Sequence, residues 1–211
     1  MIRLLIADDH AIVREGLKQM IALAGDIVVA GEAADGYEVL EQVRRQAFDV
    51  VSLDMSMPRL SGVDLIKRIK LERSGLPILI LSMHNEGQFA MRALKAGASG
   101  YLTKDSDPET LIAAIRKVAV GRKFIDPTLV EEVVFETVLS DGQAPHGLLS
   151  DREFQIFQLI VSGKGLNDIA AQLSLSAKTV STYKARLMQK LGVSNNADLV
   201  RYALKHGLIE Q

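Results

Sequence analysis

Val50-Val51-Ser52-Leu53-Asp54-Met55-Ser56-Met57-Pro58-Arg59-Leu60-Ser61-Gly62 is a β-type, largely apolar run that ends in a single carboxylate and is then broken by Met57-Pro58 and Gly62. A nearly continuous apolar run bounded by turn residues reads as a strand buried on both faces, the kind a parallel sheet between two helical layers requires. A carboxylate at the carboxyl end of such a strand stands where open α/β sheets present their chemistry. The first 124 residues can be read outward from Asp54.

Similar β-type runs occupy Ile2–Ala7, Ile27–Ala33, Ile78–Ser82 and Gly100–Thr103. Segments with helical spacing follow at 13–24, 37–46, 63–72, 86–96 and 108–120. Five strands alternating with helices predict a five-stranded parallel sheet in a doubly wound α/β domain with right-handed crossovers. Residues 127–139 then predict a further helix, with Asp126 as N-cap and Pro127 in its first position. Residues 140–147, Ser-Asp-Gly-Gln-Ala-Pro-His-Gly, are turn-forming and poor in apolar side chains, as a linker is.

From Leu148 the pattern is helical throughout. Ser150-Asp151-Arg152-Glu153 forms a capping box, with Leu149 and Phe154 at the hydrophobic-staple positions. A short helix over 168–173, a turn at 174–176 and a helix over 177–191 have the spacing of a helix-turn-helix, although the turn lacks the common Gly. A last helix covers 196–206. The division is thus 1–124, an α/β domain; 125–147, a linker with a helix; and 148–211, an all-α domain of four helices.

A chain of 211 residues has room for two domains, and 48% hydrophobic residues is ordinary globular composition. The sequence has no Cys, which excludes a disulfide framework, a zinc-thiolate site and a thiol nucleophile. No apolar run approaches the ~20 residues that span a bilayer. The apolar run at the N-terminus is too short for a signal peptide, so a cytoplasmic protein without membrane association is expected. The net charge of −1 divides into +3 from Leu148 onward and −4 before it. That asymmetry suggests a nucleic-acid module joined to one that does not touch nucleic acid.

Asp8 and Asp9 follow the first strand and Asp54 ends the third, so in a doubly wound sheet their carboxylates share one edge. Three hard oxygen ligands there suit Mg²⁺. Ser82 and Lys104 end or follow the fourth and fifth strands, offering a hydroxyl and an ammonium to phosphoryl oxygens. With Asp54 as nucleophile, this is equipment for phosphoryl transfer. Taken singly, Asp8-Asp9 reads as a helix N-cap, Lys104 as a solvated lysine, Tyr101 as sheet packing and His10 as a polar turn residue. It is the joint placement of Asp8-Asp9, Asp54, Ser82 and Lys104 at strand ends that points to a site.

This constellation resembles the CheY-like receiver domain of bacterial two-component response regulators, from residue 1 to about residue 120. The resemblance implies that Asp54 is the phospho-acceptor and that Mg²⁺ (or Mn²⁺) is held by Asp9, Asp54 and the backbone carbonyl of Ser56, with Asp8 acting through water. It implies that Ser82, Lys104 and Tyr101 are the phosphate-binding and switch residues. The Ser56 and His84 side chains then flank the hydrolytic water and tune phosphate lifetime, or are simply polar loop residues.

On the helix over 177–191, Val180, Leu187 and Leu191 share a narrow arc that should face the core. Lys178, Ser181, Thr182, Ala185 and Gln189 lie opposite, flanked by Lys184, Arg186 and Lys190, with no acidic residue in the helix. Small and polar groups bordered by cations suit a major groove. Leu149 to Glu153, Gly163-Lys164, Asp168-Ile169-Ala170, Leu173, Ser176, Lys178-Thr179-Val180 and Lys190-Leu191-Gly192-Val193 resemble the LuxR-type helix-turn-helix. Leu166 departs from that pattern, which has a polar residue there, and Asn167 is expected to cap the helix instead. The resemblance places Ser181, Thr182 and Ala185 nearest the bases and Lys178, Thr179, Tyr183, Lys184 and Arg186 towards the DNA backbone, with Lys190 among the cations.

The whole chain therefore resembles a NarL/FixJ-type response regulator. That implies a sensor histidine kinase and double-stranded promoter DNA as partners, with RNA polymerase as a further contact. It also implies homodimerisation on phosphorylation and pseudo-palindromic sites. Such a protein is not a conventional enzyme, although it accepts a phosphoryl group on Asp54 and can catalyse its loss. Two other readings stand beside this one. A regulator could bind DNA regardless of phosphate, or the chain could be an aspartate-dependent phosphohydrolase, which would want a second Asp where Ser56 stands.

Overall fold

The computed structural model describes residues 1–83, 87–139, 145–173, 175–206 and 208–209. It divides into two compact units, Met1–Asp141 and Gly142–Gln211. The first contains strands β1 (Ile2–Ala7), β2 (Ile27–Ala33), β3 (Val50–Asp54), β4 (Ile78–Ser82), β5 (Gly100–Thr103) and β6 (Phe124–Ile125), ordered β2-β1-β3-β4-β5-β6 with every pairing parallel. All residues of β3, β4 and β5 are buried, which is why these strands read as continuous apolar runs.

Helices α1 (Ala11–Ala22), α2 (Gly36–Arg45), α3 (Gly62–Glu72), α4 (Gly87–Lys95) and α5 (Pro108–Ala119) follow the first five strands in turn. Leu4, Ile6, Val50, Leu79, Leu81 and Leu102 of the sheet form one core cluster with Ile21 of α1 and Leu111, Ala114, Ile115 and Val118 of α5. Full burial of a side chain of this size contributes roughly 1.5–3 kcal/mol, so this layer holds the strand ends in place. The side chain of Asp35 caps α2 through the N–H groups of Tyr37 and Glu38, and Asp107 caps α5 through Thr110 with Pro108 in the first turn.

The five expected strands are all present. The sheet has a sixth strand that the sequence reading did not include, because two residues are too few to show any period. β6 pairs with β5 through Gly100↔Phe124 and Tyr101↔Ile125, which brings the start of the linker into the sheet. The linker then makes a 3-10 turn at Pro127–Leu129 and continues as α6 (Val130–Leu139). Helix α6 packs against α4, where the Gly87 N–H donates to Glu132 Oε2 at 2.7 Å. The approach is close enough that a Cβ on Gly87 would lie 2.6 Å from the Glu132 Cβ.

In the second unit a 3-10 turn at Pro145–Leu148 precedes α7 (Asp151–Val161), α8 (Leu166–Gln172), α9 (Ala177–Leu191) and α10 (Asn196–Lys205). Both hydrogen bonds of the Ser150/Glu153 capping box are formed, and Leu149 and Phe154 are buried. Helix α8 starts two residues earlier than expected: Gly165 occupies the N-cap without a side-chain bond, and Asn167 lies inside the helix. Ser176 caps α9 through the Thr179 N–H, and Gly192 ends it in the left-handed conformation at φ 67°. Residues 140–144 of the expected linker stretch and Ser174 of the turn lie outside the described residues.

Candidate functional site

Parallel pairing of β1 with β3 in the register Ala7↔Leu53 sets Asp8 beside Asp54. The Asp54↔Leu81 and Ser82↔Thr103 pairs bring the ends of β4 and β5 to the same edge, with Lys104 immediately after β5. Lys104 Nζ donates to Asp8 Oδ2 at 2.6 Å and stands 3.2 Å from Asp54 Oδ1. Its amide N–H donates to the Ser82 carbonyl at 2.8 Å, which ties the two strand ends together. Asp8, Asp54 and Ser82 are buried, whereas Asp9 and the Ser56 side chain are exposed. Tyr101 is fully buried. His84 lies outside the described residues.

Burial pushes the Asp54 carboxyl above its ordinary pKa; the Lys104 ammonium pulls it down and the Asp8 carboxylate pushes it further up. Burial opposes the charge on Lys104 too, yet the Asp54 and Asp8 carboxylates outweigh it and hold the ammonium above its usual value. One cation thus serves two crowded carboxylates. Asp54 Oδ2 is buried and has no hydrogen-bond partner among the described residues. A buried carboxylate oxygen left that way is costly, so the pocket is shaped for a further positive group.

Ligand atoms of Asp8, Asp9, His10 and Asp54 all lie within 4.8 Å of one another. Clustered carboxylate oxygens with one orphaned oxygen fit a hard divalent cation. His10 belongs to this cluster, which the sequence reading did not anticipate: its Nδ1 is 3.0 Å from Asp9 Oδ1 and 3.3 Å from Asp8 Oδ1. The signal was its place directly after the acidic pair. The His10 N–H also donates to Asp8 Oδ1 at 2.8 Å, and His10, not an aspartate, is the N-cap residue of α1.

The loop after β3 is fixed from below and from the side. Met55 and Met57 are buried, and the guanidinium of Arg59 pairs with the buried Asp35 at 2.6 Å. Arg59 sits at φ 66°, a left-handed conformation uncommon for a residue with a Cβ. Gly36 is required beneath this loop, because a Cβ there would lie 2.0 Å from the Leu60 carbonyl oxygen.

Behind the pocket stands Asp126, which the sequence reading took only as a helix cap. Its Oδ1 accepts from the N–H (3.0 Å) and hydroxyl (2.7 Å) of Thr128, which is that capping role. Its Oδ2 accepts from the N–H (3.1 Å) and hydroxyl (2.8 Å) of Thr103 and from the Ser106 hydroxyl (2.9 Å). Burial opposes its charge, but the hydroxyl and N–H donors of Thr128 and Thr103 overcome it and hold the carboxyl at about 2.

In the second unit Val180, Leu187 and Leu191 of α9 are buried, while Lys178, Ser181, Thr182, Ala185 and Arg186 are exposed. Thr179, Tyr183 and Lys184 are half-buried. The Thr182 hydroxyl donates to the Lys178 carbonyl at 3.0 Å, and the Thr179 hydroxyl lies 2.8 Å from that of Ser176. Lys190 is engaged elsewhere, with Nζ 2.5 Å from Glu153 Oε2 and 3.2 Å from the Leu148 carbonyl. It braces the start of α7 against the end of α9. The remaining outward face of α9 is neutral and small in the middle with cations around it.

No helix among the described residues is long and apolar enough to cross a membrane. Residues 4–116 match the family model for the response regulator receiver domain, and residues 147–203 match that for bacterial regulatory proteins of the luxR family. The chain is 34% identical over 209 residues to the response regulator UvrY of Escherichia coli (strain K12), covering 99% of this chain and 96% of that protein. It is 38% identical over 215 residues to the oxygen regulatory protein NreC of Staphylococcus carnosus, covering 99% of each. Among solved structures, it is similar to RcsB from Salmonella enterica serovar Typhimurium bound to a promoter in the presence of the phosphomimetic BeF3−. That likeness has a TM-score of 0.62 at 28% identity and covers 95% of this chain and 97% of RcsB. Another RcsB structure, with two dimers bound to two parallel DNAs, gives a TM-score of 0.61 at 28% identity and covers 96% and 98%. The chain belongs to the NarL/FixJ-type response regulators of two-component systems, transcription regulators in which a receiver domain is joined to a LuxR-type helix-turn-helix.

Proposed function

We propose that this response regulator is switched by transfer of a phosphoryl group from a sensor histidine kinase to Asp54. The observation that carries the proposal is the buried carboxylate of Asp54, with Lys104 on one oxygen and no partner on the other. In the transfer an Asp54 oxygen forms the new P–O bond, the P–N bond to the kinase histidine breaks, and the imidazole leaves to be protonated. Lys104 moves from its two carboxylates to a phosphoryl oxygen, and the Ser82 hydroxyl donates to another. Asp9, Asp54 and the Ser56 carbonyl would hold Mg²⁺, with Asp8 acting through water, and the ion would neutralise charge on the transferring group. Ser56 and His84 tune how long the acyl phosphate lasts, and Tyr101 backs Ser82 as a switch residue.

The receiver is assigned to residues 1–124, the linker to 125–147 and the DNA-binding domain to 148–211. Helix α9 enters the major groove of promoter DNA, with Ser181, Thr182 and Ala185 towards the bases. Lys178, Thr179, Tyr183, Lys184 and Arg186 face the backbone; Lys190 contributes through its brace to Glu153. Neutral side chains at the centre favour readout of DNA shape over bidentate base contacts. The phosphorylated protein acts in the cytoplasm as a homodimer on pseudo-palindromic half-sites, with RNA polymerase as a further contact. The RcsB dimers on DNA support this assembly by likeness.

The test is phosphorylation of the full chain by acetyl phosphate, with and without Mg²⁺, followed by binding to promoter fragments. The wild type should take up one phosphoryl group per chain only with the ion present, and bind DNA more tightly afterwards. Asp54→Asn should take up none. Equal DNA affinity for both proteins under all conditions would sink the switch, and steady hydrolysis of a generic phosphomonoester would revive the phosphohydrolase.

A further inference from the structure

The carboxylate of Asp126 divides its two oxygens between two segments. Oδ2 holds Thr103 and Ser106, which flank Lys104 in the β5–α5 connection, while Oδ1 holds Thr128 in the first turn of the linker. The Asp126 N–H donates to the Tyr101 carbonyl at 2.9 Å, so the strand carrying Tyr101 and the loop carrying Lys104 are gripped by one residue. On the opposite side, the Lys104 ammonium is drawn towards Asp8 and Asp54. A loop pulled from one side by two carboxylates keeps its place only if it is anchored from the other.

We propose that Asp126 is a positioning residue for Lys104, fixing the backbone of its loop so that the ammonium alone moves when a phosphoryl group enters. The proposal rests on the reading of Asp54 as phospho-acceptor. Three features of the geometry support it. The donors on Oδ2 come from residues on both sides of Lys104, so the tie spans that residue and does not merely end a strand. Asp126 is itself buried, so water cannot readily replace its carboxylate as acceptor. The third feature is that the saturated carboxylate is charged throughout the physiological range, which makes each bond to it charge-assisted. The hydrogen bonds of the Asp126 carboxylate go to Thr103, Ser106 and Thr128, not to Asp54 or Lys104, so Asp126 is not itself a catalytic residue.

The experiment compares full-length wild type, Asp126→Asn, Ser106→Ala and Thr128→Val in phosphorylation by acetyl phosphate, well below the melting temperature of each. Asparagine keeps one carbonyl oxygen and turns the other acceptor into a donor, so it cannot serve both segments. Asp126→Asn should lower the second-order rate constant of phosphorylation on the order of tenfold to a hundredfold, as misplacement of a transition-state group does. Ser106→Ala should lower it by about threefold, one of the three Oδ2 bonds being lost. Thr128→Val, which removes a bond on the linker oxygen only, should remain near the wild type.

Mg²⁺ affinity, measured by calorimetry, should not fall in any of the three, because Asp8, Asp9 and Asp54 are untouched and a Lys104 drawn away from Asp8 and Asp54 only removes a competing cation. A folded Asp126→Asn that phosphorylates at the wild-type rate overturns the proposal. So does a fall in Mg²⁺ affinity parallel to the fall in rate, which would mean general collapse of the pocket. If Asp126→Asn does not fold, Ser106→Ala decides: a wild-type rate there overturns the proposal. A wild type that takes no phosphate, or an Asp54→Asn that takes it as well as wild type, overturns the reading of Asp54 instead.

Discussion

Asp54 and Asp126 are each 3% exposed, and the fold treats the two carboxylates in opposite ways. Asp126 accepts five hydrogen bonds from Thr103, Ser106 and Thr128, and its carboxyl is held at about 2. Asp54 shares one lysine with Asp8, has an oxygen with no partner among the described residues, and is raised from its ordinary pKa by burial. Burial alone therefore says little about role. A carboxylate supplied with donors fastens two segments together, whereas one left short of them is prepared to receive something.

The largest effect that would break this contrast is at Asp126. Its pKa falls from 3.8 to about 2 on folding, which corresponds to roughly 2 kcal/mol of stability at neutral pH. Because the folded value is the lower one, this contribution is complete above the unfolded value and is lost as pH falls from about 4 towards 2. Asp126→Asn should thus cost about 2 kcal/mol in urea unfolding at pH 7, with the gap narrowing at pH 3.5. An equal gap at the two pH values would show that the charge is not what stabilises the node.

Asp54 should show the reverse sign. Its folded pKa is raised, so the folded state holds the proton more tightly and stability is lost as pH rises through the folded value. At pH 7 without a divalent ion, the ionised side chain opposes folding. Asp54→Asn should therefore raise Tm at pH 7, by removing a buried charge that desolvation disfavours. That gain should shrink as pH falls through and below the ordinary Asp value, where the carboxyl takes up its proton in the unfolded chain as well. Adding Mg²⁺ should raise the Tm of wild type and leave Asp54→Asn where it was. A lower Tm for Asp54→Asn at pH 7 would place the two aspartates in the same class.

The two aspartates also show what was legible beforehand. Asp54 could be found because a strand buried on both faces writes itself as an apolar run, and the end of that run marks the sheet edge. The same apolar runs place Asp8, Asp9, Ser82 and Lys104 at that edge. Asp126 could be read only in part: its cap to Thr128 is local, whereas Thr103 and Ser106 lie 23 and 20 residues away. No spacing rule reaches across that interval once β6, two residues long, goes unseen. The same limit explains Lys190, which a helical wheel places among the cations of α9 although its partner Glu153 lies 37 residues away. The start of α8 differs from expectation for another reason: Gly165 stands at its N-cap with backbone conformation alone, which leaves no polar side chain to mark the boundary.

A third carboxylate, Glu132 on the linker helix, sharpens the comparison at its weak end. It is exposed and accepts one N–H, that of Gly87 at the start of α4. An anion at a helix N-terminus contributes about 0.3–1 kcal/mol at low salt through the helix dipole. Glu132→Gln keeps a carbonyl acceptor and loses only the charge, so it should cost no more than that at low salt and progressively less as salt is raised. Glu132→Ala loses the acceptor as well and should cost about 1 kcal/mol more than Gln, a difference largely independent of salt, as removal of a capping side chain is. Urea unfolding at two ionic strengths separates the two. If Gln and Ala cost the same at high salt, the Gly87 N–H is satisfied without the side chain, and the close packing of α6 on Gly87, not the hydrogen bond, holds the linker helix to α4.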